Sequence, residues 1–367
     1  MATFAKSTFS ASIYAASRPT YPPELFQHIL EYHRKGTTGQ PGPRFDHAVD
    51  LGCGTGQATR PLKGVFKRVT CVDPSAGMLE KAKEILNRED TKEALGAASS
   101  FTFHQAGAED LSQVIPESGT VDLLIAAQAC HWFNWKKVWP ETHRILRKGG
   151  SAAFWVYGEF QLPEYPSTAP LITAYSQGTD PNSTTSVGAH FQRPGRTMLE
   201  RLLVDVPSPG SVLGTHSEKG DLTDFRRVYF SGSHEIPEPY SKLKGTYIYP
   251  VMMRASWTWL DLLHYLRTWS ALHSYHERFP DDLEREDDSR FLDQDMEDAR
   301  SRNIDGTVIR GGDISIRFWK DARAIAQRGL VRGHASGIAG STVERKSGLL
   351  DNVEIEWPVS LLLTRKA

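Results

Sequence analysis

The sequence predicts an α/β protein in which helices cover both faces of a parallel sheet. Segments rich in β-branched and apolar residues alternate with helical stretches from residue 47 to residue 157. This alternation is typical of parallel strands joined by crossover helices. A glycine-rich turn follows the first strand segment, and Gly149 and Gly150 end the last helical stretch, as glycines commonly do at helix C-termini.

The individual elements follow from this pattern. Proline at position 23 suits the first turn of a helix through residues 25–33, and a Gly/Pro-rich linker follows at 36–44. Strands and helices then alternate. We predict strands at 47–51, 68–73, 101–105, 121–127 and 151–157, and helices at 57–65, 76–87 and 135–146.

Beyond residue 158 the pattern changes to loops rich in Pro, Gly, Ser and Thr, with fewer regular elements. A short strand is predicted at 225–230, an apolar helix at about 253–275 and a last strand at 353–366, where Pro358 indicates a bulge or an edge. We expect four parts: an N-terminal helical lid and linker (1–44), a core (45–232), a mainly helical cap or substrate-binding insertion (233–350) and a final core strand (351–367).

Composition excludes several classes of protein. The 367 residues contain 43 Lys and Arg against 44 Asp and Glu, so there is no global field to hold nucleic acid or an anionic membrane. The longest apolar run, 121–130, is far shorter than the roughly 20 residues of a membrane span. We expect a small-molecule substrate, no nucleic acid or membrane partner, and a monomer or weak homodimer.

The cysteines and the first residues of the chain indicate the cellular compartment, and the spacing of His, Cys and Asp residues indicates whether a metal is bound. There are three cysteines and no CxxC pair, which favours a reducing compartment. The first residues lack the apolar segment of a secretory signal, so we expect a cytoplasmic protein. No His/Cys/Asp cluster has the spacing of a metal site, and no metal is expected.

The turn after the first strand has the spacing of a nucleotide-binding loop. Asp50 is followed by Gly52, Gly54 and Gly56, and such glycines let the backbone approach a ligand closely. The spacing is GxGxG, whereas a dinucleotide site requires GxGxxG and has glycine where this chain has Gln57. No Lys-Ser/Thr follows, so the loop is not a P-loop.

Acidic residues follow the next two strands. Asp73 ends the second strand about 20 residues after the glycines, a position that suits hydrogen bonds from ribose hydroxyls; the alternative is a helix N-cap ahead of Pro74 and Ser75. Glu109, after the third strand, would accept a hydrogen bond from an adenine amine, or it lies in a solvated turn. Together with the glycines, these acids favour a nucleoside-bearing ligand.

Residues that would contact an acceptor follow the fourth and fifth strands. Gln128, His131 and Trp132 come after the fourth strand and Tyr157 ends the fifth, and ligands bind at the carboxyl ends of strands in open α/β sheets. His131 is the leading candidate for acceptor contact; the alternative is a buried structural histidine. Trp132 and Tyr157 are pocket candidates or core residues.

A broad apolar stripe occupies residues 257–272 and contains Trp257 and Trp269. Such a stripe is usually core, but here it would also cap the strand ends and keep water from the site. Arg254 and His264, in the same segment, would offer cationic contacts to an acidic substrate, or they lie in solvent.

These segments together resemble a known family. VDLGCGTGQ (49–57), VDPSAGML (72–79), AGAEDL (106–111), AAQACHWFNW (126–135) and RILRKGGSAAFWVYG (144–158) resemble the class I S-adenosylmethionine-dependent methyltransferases. More narrowly, the chain is similar to the fungal trans-aconitate-methyltransferase-like group, which residues 14–22 and 265–271 also match. The core resemblance covers roughly 45–158, whereas apparent insertions at 87–100, 206–220 and 303–348 leave the substrate open.

The resemblance implies a Rossmann-like methyltransferase sheet of seven strands, one of them antiparallel, and the cofactor S-adenosylmethionine, with S-adenosylhomocysteine as product. It implies that Arg18 meets the cofactor carboxylate and that Met78 lies beside the adenine or ribose, unless Met78 is helix core. The cofactor-binding residues implied in this way or indicated above are Tyr14, Arg18, Asp50, Gly52, Gly54, Gly56, Asp73, Met78, Ala108, Glu109 and Gln128.

The chemistry of methyl transfer narrows the acceptor. A carboxylate is already ionised at pH 7 because its reference pKa is roughly 4, and it needs alignment, desolvation and nearby cations. A hydroxyl would need a general base, for which His131 is the first candidate. We therefore predict O-methylation of a small carboxylic acid. The alternatives are a hydroxyl of a secondary metabolite and a cofactor-binding protein without transfer. The predicted substrate-binding residues are His131, Trp132, Tyr157, Trp257 and Trp269, with His131 also the predicted catalytic residue.

Overall fold

The computed structural model describes residues 18–36, 42–87, 99–214, 222–232, 234, 245–334 and 347–367. Its centre is an eight-stranded sheet in the order β3-β2-β1-β4-β5-β10-β6-β7. The strands are β1 (His47–Leu51), β2 (Arg68–Asp73), β3 (Ser100–Gln105), β4 (Val121–Ala127), β5 (Leu146–Tyr157), β6 (Leu222–Phe230), β7 (Thr246–Tyr249) and β10 (Val359–Lys366).

The direction of the strands confirms the predicted fold class. Only β10 runs against its neighbours in this sheet, because it pairs antiparallel with both β5 and β6, whereas the other neighbouring strands pair in parallel. The short strand β7 adds an eighth strand at the outer edge, beside β6, to the seven that were expected.

Two hydrophobic cores lie on the two faces of the sheet. In β4, Leu123 and Ile125 join one core, while Leu124 and Ala126 join the other, as the alternation of side chains along a strand requires. Because both faces are covered, the central strands are continuous apolar runs rather than alternating ones. The helices thus cover the two faces of the sheet and not the carboxyl ends of its central strands.

The helices cover these two faces and form a cap beyond the strand ends. None of the described helices is long and apolar enough to cross a membrane. They are α1 (Pro23–Lys35), α2 (Ala76–Leu86), α3 (Trp135–Ile145), α4 (Ala169–Gln177), α5 (Gly195–Glu200), α6 (Pro209–Leu213), α7 (Trp259–Arg267), α8 (Ser270–Arg278), α9 (Leu292–Ser301) and α10 (Ile314–His334).

Two helix predictions were wrong. Residues 57–65 form turns and a single 3-10 turn at Arg60–Leu62, because Pro61 lacks an N–H donor and Gly64 has a φ of +76°. The stretch 253–275 is not one helix: it divides into strand β8 (Met253–Thr258), α7 and α8. Thr258 and Asp261 form a capping box that starts α7 at Trp259.

The predicted last strand divides at Pro358. Its first half is β9 (Asn352–Trp357), which pairs antiparallel with β8 in a separate two-stranded sheet, and its second half is β10. Proline has no N–H to continue a ladder, so the chain leaves one sheet here and enters the other. The cap is therefore not purely helical.

The cap is tied together by buried polar contacts. Arg323 on α10 forms a bidentate ion pair with Asp295 on α9, with both N–O distances 2.7 Å, and both side chains are almost fully buried. The indole N–H of Trp319 donates to the carbonyl of Trp259 at 2.7 Å. These contacts fix α9 and α10 against α7. Residues of α7 line the cavities described next.

Candidate active site

The glycine loop after β1 is shaped for close approach of a ligand. Gly52, Gly54 and Gly56 have φ values of +68°, +54° and +88°, which residues with a Cβ adopt only with strain. A Cβ on Gly52 would lie 2.4 Å from the Cβ of Ala129, whereas a Cβ on Gly54 would have no atom within 4 Å. The loop thus packs on the chain after β4 at Gly52 and opens into free space at Gly54.

The carboxylate of Asp73 is fixed beside this loop. One oxygen accepts from the backbone N–H of Gly54 at 2.9 Å and the other from that of Ser75 at 2.8 Å. Ser75, not Asp73, is the N-cap of α2, because its hydroxyl accepts from the N–H of Met78. Each carboxylate oxygen has two lone pairs, so Asp73 can still accept from ribose hydroxyls. Burial raises its pKa.

Asp50 lies under the loop rather than on its open side. Its side chain is fully buried, and one oxygen accepts from the hydroxyl of Thr59 at 2.6 Å. Burial raises its pKa to about 7, and the nearby Asp73 adds to the effect. Asp50 therefore offers no surface to a cofactor and acts by supporting the loop.

The residues expected near an adenine lie along the same edge. Met78 and Ala108 are buried, while Glu109 is half-buried and one of its oxygens accepts from the backbone N–H of Asn134 at 3.0 Å. This bond ties the loop after β3 to the start of α3. Tyr14 lies outside the described residues.

Gln128 joins the ends of β4 and β5. Its φ is +51°, and its side-chain amide donates to the carbonyl of Tyr157 at 3.2 Å and accepts from the N–H of Tyr157 at 2.8 Å. The amide is thus engaged by backbone, so its role at the site is to fix the shape of the strand ends.

A cavity of about 90 Å³, the first cavity, lies beyond these strand ends. It contains four of the five predicted substrate-binding residues. Its lining includes Arg18, Gln128, His131, Trp132, Tyr157, Glu159, Phe191, Arg196, Tyr265 and Trp269.

His131 is a buried wall of the first cavity. It lies in the 3-10 turn Cys130–Trp132 and is 8% exposed. Its Nδ1 is buried with no hydrogen-bond partner in the described part of the chain. Burial, and then the positive charge of Arg196, lower its pKa to about 3. The ring is therefore neutral at pH 7 and only weakly basic.

Two guanidinium groups bring positive charge to the first cavity. Arg18 donates to the hydroxyl of Tyr157 at 3.1 Å and to the carbonyl of Thr268 at 3.2 Å. Arg196 donates through Nε to Glu200 at 2.9 Å and through Nη2 to the carbonyl of Ser176 at 3.3 Å. Its Cζ lies 3.9 Å from the centre of the Phe191 ring.

Sequence reasoning did not single out Arg196. It lies at the end of the Pro/Gly/Ser/Thr-rich stretch 179–196, which was predicted to be loop but includes the start of α5. Nothing in the local sequence distinguishes Arg196 from Arg193, which pairs with the same Glu200 at 3.0 Å but is not part of the cavity lining. Only the packing of α5 against the turn at Cys130–Trp132 separates the two.

A second cavity of about 400 Å³ adjoins the first. Trp257 belongs to this second cavity and not to the first, so the structure separates it from the other predicted substrate-binding residues. The lining comprises Arg18, Pro19, Thr20, Met253, Arg254, Ala255, Trp257, Asp261, His264 and Trp357.

Comparison with known proteins identifies the sheet and its glycine loop. The family model described as a methyltransferase domain matches residues 49–154, which include the loop, Asp73, Glu109 and His131. The match supports a class I S-adenosylmethionine-dependent methyltransferase domain at these residues. The cofactor of such a domain is S-adenosylmethionine, as the sequence predicted.

Curated relatives match about half of the chain. A Saccharomyces cerevisiae protein, named as an S-adenosylmethionine-dependent methyltransferase, is 35% identical over 179 residues, which are 48% of this chain and 55% of the yeast protein. A Dictyostelium discoideum protein named as a methyltransferase is 37% identical over 193 residues, 53% of this chain and 62% of that protein. The matched part thus spans less than two thirds of each relative.

A solved structure resembles nearly the whole chain. It is described as a type II methyltransferase from Anaeromyxobacter dehalogenans, is 20% identical, and covers 95% of this chain and 97% of its own, with a TM-score of 0.54. At this identity the likeness concerns the fold alone. It shows that the methyltransferase domain and cap recur together in one architecture.

Proposed function

We propose that this protein methylates the carboxylate of a small organic acid, with S-adenosylmethionine as the methyl donor. The observation that carries the proposal is the first cavity, where the guanidinium group of Arg196 shares the wall with a histidine that is too weakly basic to activate a hydroxyl. The proposal names the reaction of the whole chain, whereas the comparisons concern the methyltransferase domain.

The cofactor edge fits the cofactor in its local chemistry. The open space above Gly54 leaves room for a ligand against the backbone, and Asp73 has remaining lone pairs for two ribose hydroxyls. We assign Glu109 to the adenine side and Arg18, which lines the first cavity together with Gln128, to the cofactor carboxylate. When bound, S-adenosylmethionine supplies an electrophilic methyl group on a positively charged sulfur.

A carboxylate acceptor requires little of the protein. Its oxygen is already anionic at pH 7. That oxygen forms the new bond to the methyl carbon while the sulfur–carbon bond breaks and its electron pair stays on sulfur, so no proton has to move. Arg196 would hold and orient the anion, because guanidinium groups pair with carboxylates in a fixed planar geometry.

A hydroxyl acceptor would require a general base, and His131 does not suit that role. The carboxylate in the cavity wall, Glu159, already accepts hydrogen bonds from Thr173, Ser176 and Gln177. A general base works best with a pKa near the working pH, and the pKa of His131 is lowered to about 3. Among the described residues no carboxylate hydrogen-bonds to His131, so nothing raises its basicity. His131 is better suited to contacting and aligning the acceptor.

The test is a panel of carboxylic acids and phenols incubated with the protein and S-adenosylmethionine and analysed by mass spectrometry for the gain of one methylene. The panel includes polycarboxylic acids of the trans-aconitate type, which the sequence resemblance suggests. We expect a product that mild base hydrolyses back to the acid, as it does a methyl ester.

Two results would contradict the proposal. A methylated product that resists base hydrolysis would be an ether and would indicate a hydroxyl acceptor. Cofactor binding by calorimetry without methylation of any panel member would indicate a binding protein. The variant Asp73→Ala serves as the control for cofactor-dependent signal.

A further inference from the structure

The two cavities differ in size in a way that bears on the acceptor. The first has a volume of about 90 Å³, below the range of typical ligand pockets. The second has a volume of about 400 Å³, within the ~300–1,000 Å³ of typical ligand pockets. The first cavity thus accommodates a reacting group, and the second accommodates an organic molecule.

Only a thin layer of side chains separates the two cavities. Arg18 lines both of them. Trp357, in the wall of the second, has its ring 6.4 Å from the ring of Tyr157 in the wall of the first. Its indole N–H also donates to the hydroxyl of Tyr265, another wall residue of the first, at 3.4 Å.

The second cavity combines aromatic and apolar walls with charged groups of both signs. The rings of Trp257 and Trp357 meet edge to face, with centroids 5.2 Å apart. One oxygen of the Asp261 carboxylate accepts the capping hydrogen bonds from the N–H and the hydroxyl of Thr258. Arg254, whose side chain is 61% exposed, carries a positive charge 3.4 Å from Glu356. Such walls suit a flat or aliphatic body with an anionic group at one end.

We infer that the acceptor is a carboxylic acid with a large apolar or aromatic body, held in the second cavity against Trp257 and Trp357, with its carboxylate extending past Arg18 into the first cavity. This inference rests on the proposed function, because it names the class of acid. It distinguishes such an acceptor from a compact polycarboxylic acid, whose charges would meet aromatic walls.

Binding of matched acids to the full-length protein tests the inference without requiring turnover. With saturating S-adenosylhomocysteine present, calorimetry would measure straight-chain acids from acetate to decanoate, together with indole-3-acetate. We expect the dissociation constant to fall by about fourfold for each added methylene until the second cavity is full, the usual effect of burying one methylene.

Two variants change the second cavity in opposite ways. Trp257→Ala removes a wall, and Ala255→Phe fills the space from strand β8. Each should weaken decanoate and indole-3-acetate at least tenfold and leave acetate unchanged. Ala255→Phe keeps the test decisive if Trp257→Ala does not fold. Tyr247→Ala, at a 42% exposed aromatic side chain on edge strand β7, is the matched control and should change neither.

The outcomes separate this inference from the proposed function. Equal affinity for acids of all chain lengths would overturn the inference. So would variants that weaken acetate as much as they weaken decanoate. If long acids bind as expected but none is methylated, the second cavity holds its ligand and the proposed function fails. If short acids are methylated and Ala255→Phe leaves all acids unaffected, the proposed function holds and the inference fails.

Discussion

The cofactor edge of the sheet and the cavities beyond it differ in how far apart along the chain their residues lie. Gly52 and Gly54 lie about 20 residues before Asp73. The backbone N–H of Gly54 donates to the Asp73 carboxylate, and that of Gly52 donates to the carbonyl of Val72. The first cavity instead gathers Arg18, His131, Arg196 and Trp269 from four distant segments. If the proposed function holds, binding of the donor depends on local backbone geometry, whereas choice of acceptor depends on how the cap packs.

The largest effect is expected at the cofactor edge. Gly52→Val should abolish cofactor binding and lower the free energy of unfolding by about 1–3 kcal/mol or more, because a left-handed φ and the contact with Ala129 both oppose a side chain. Calorimetry and denaturant titration would measure the two effects. Gly210→Ala is the control, since a Cβ there meets no atom within 4 Å; cofactor binding by the Gly52 variant would remove the loop from the site.

A smaller effect is expected at Asp73. Asp73→Ala should weaken binding of S-adenosylmethionine by about 1–3 kcal/mol, roughly tenfold to a hundredfold, because ribose hydroxyls lose their acceptor. Asp73→Asn keeps one acceptor oxygen and should lose less. Unchanged calorimetric affinity in the alanine variant would mean that Asp73 only orders the loop.

A change on the cavity side should separate acceptor from donor. Arg196→Ala should raise the KM for a carboxylic acid about tenfold or more, the cost of losing a charge-assisted hydrogen bond, with the cofactor affinity unchanged. Arg193→Ala removes the other partner of Glu200 and should leave that KM unchanged. Equal effects of the two variants would show that Arg196 acts only by supporting α5.

The smallest effect is expected from pH. With the pKa of His131 lowered to about 3, the ring does not titrate between pH 6 and 9. The rate of carboxylate methylation should therefore be nearly flat over that range, and His131→Asn should lower it only modestly. A rate that falls towards pH 6 in the native protein but not in the variant would indicate that His131 acts as a base.

The same histidine affects stability with a definite sign. Because its pKa is lower in the folded state than in the unfolded state, about 3 against about 6.5, the unfolded chain binds more protons between these values. Stability is thus present above pH 6.5 and is lost as the pH falls towards 3. Chemical denaturation at a series of pH values would measure this loss. His131→Asn should lower the number of protons taken up on unfolding by at most one.

The sequence by itself determined the sheet and its ligand loop. The strands β1 to β5, the glycine spacing and the acid after β2 depend on neighbours in the chain, and the structure has each of them at or close to its predicted position. The errors were also local in origin: residues 57–65 carry a helical pattern of apolar residues, but Pro61 and Gly64 prevent a helix.

Only the tertiary structure decided how the cap meets these strand ends. Pro358 indicated an irregularity, but the exchange of sheets between β9 and β10 depends on β8 being available to pair. Trp257 and Trp269 share one apolar stripe in sequence, yet the turn between β8 and α7 places them in different cavities. Arg196 has no distinguishing neighbours, and it becomes a cavity residue because α5 packs on the turn after β4. Local pattern specifies backbone conformation, whereas side chains from distant segments meet only once the whole core has packed.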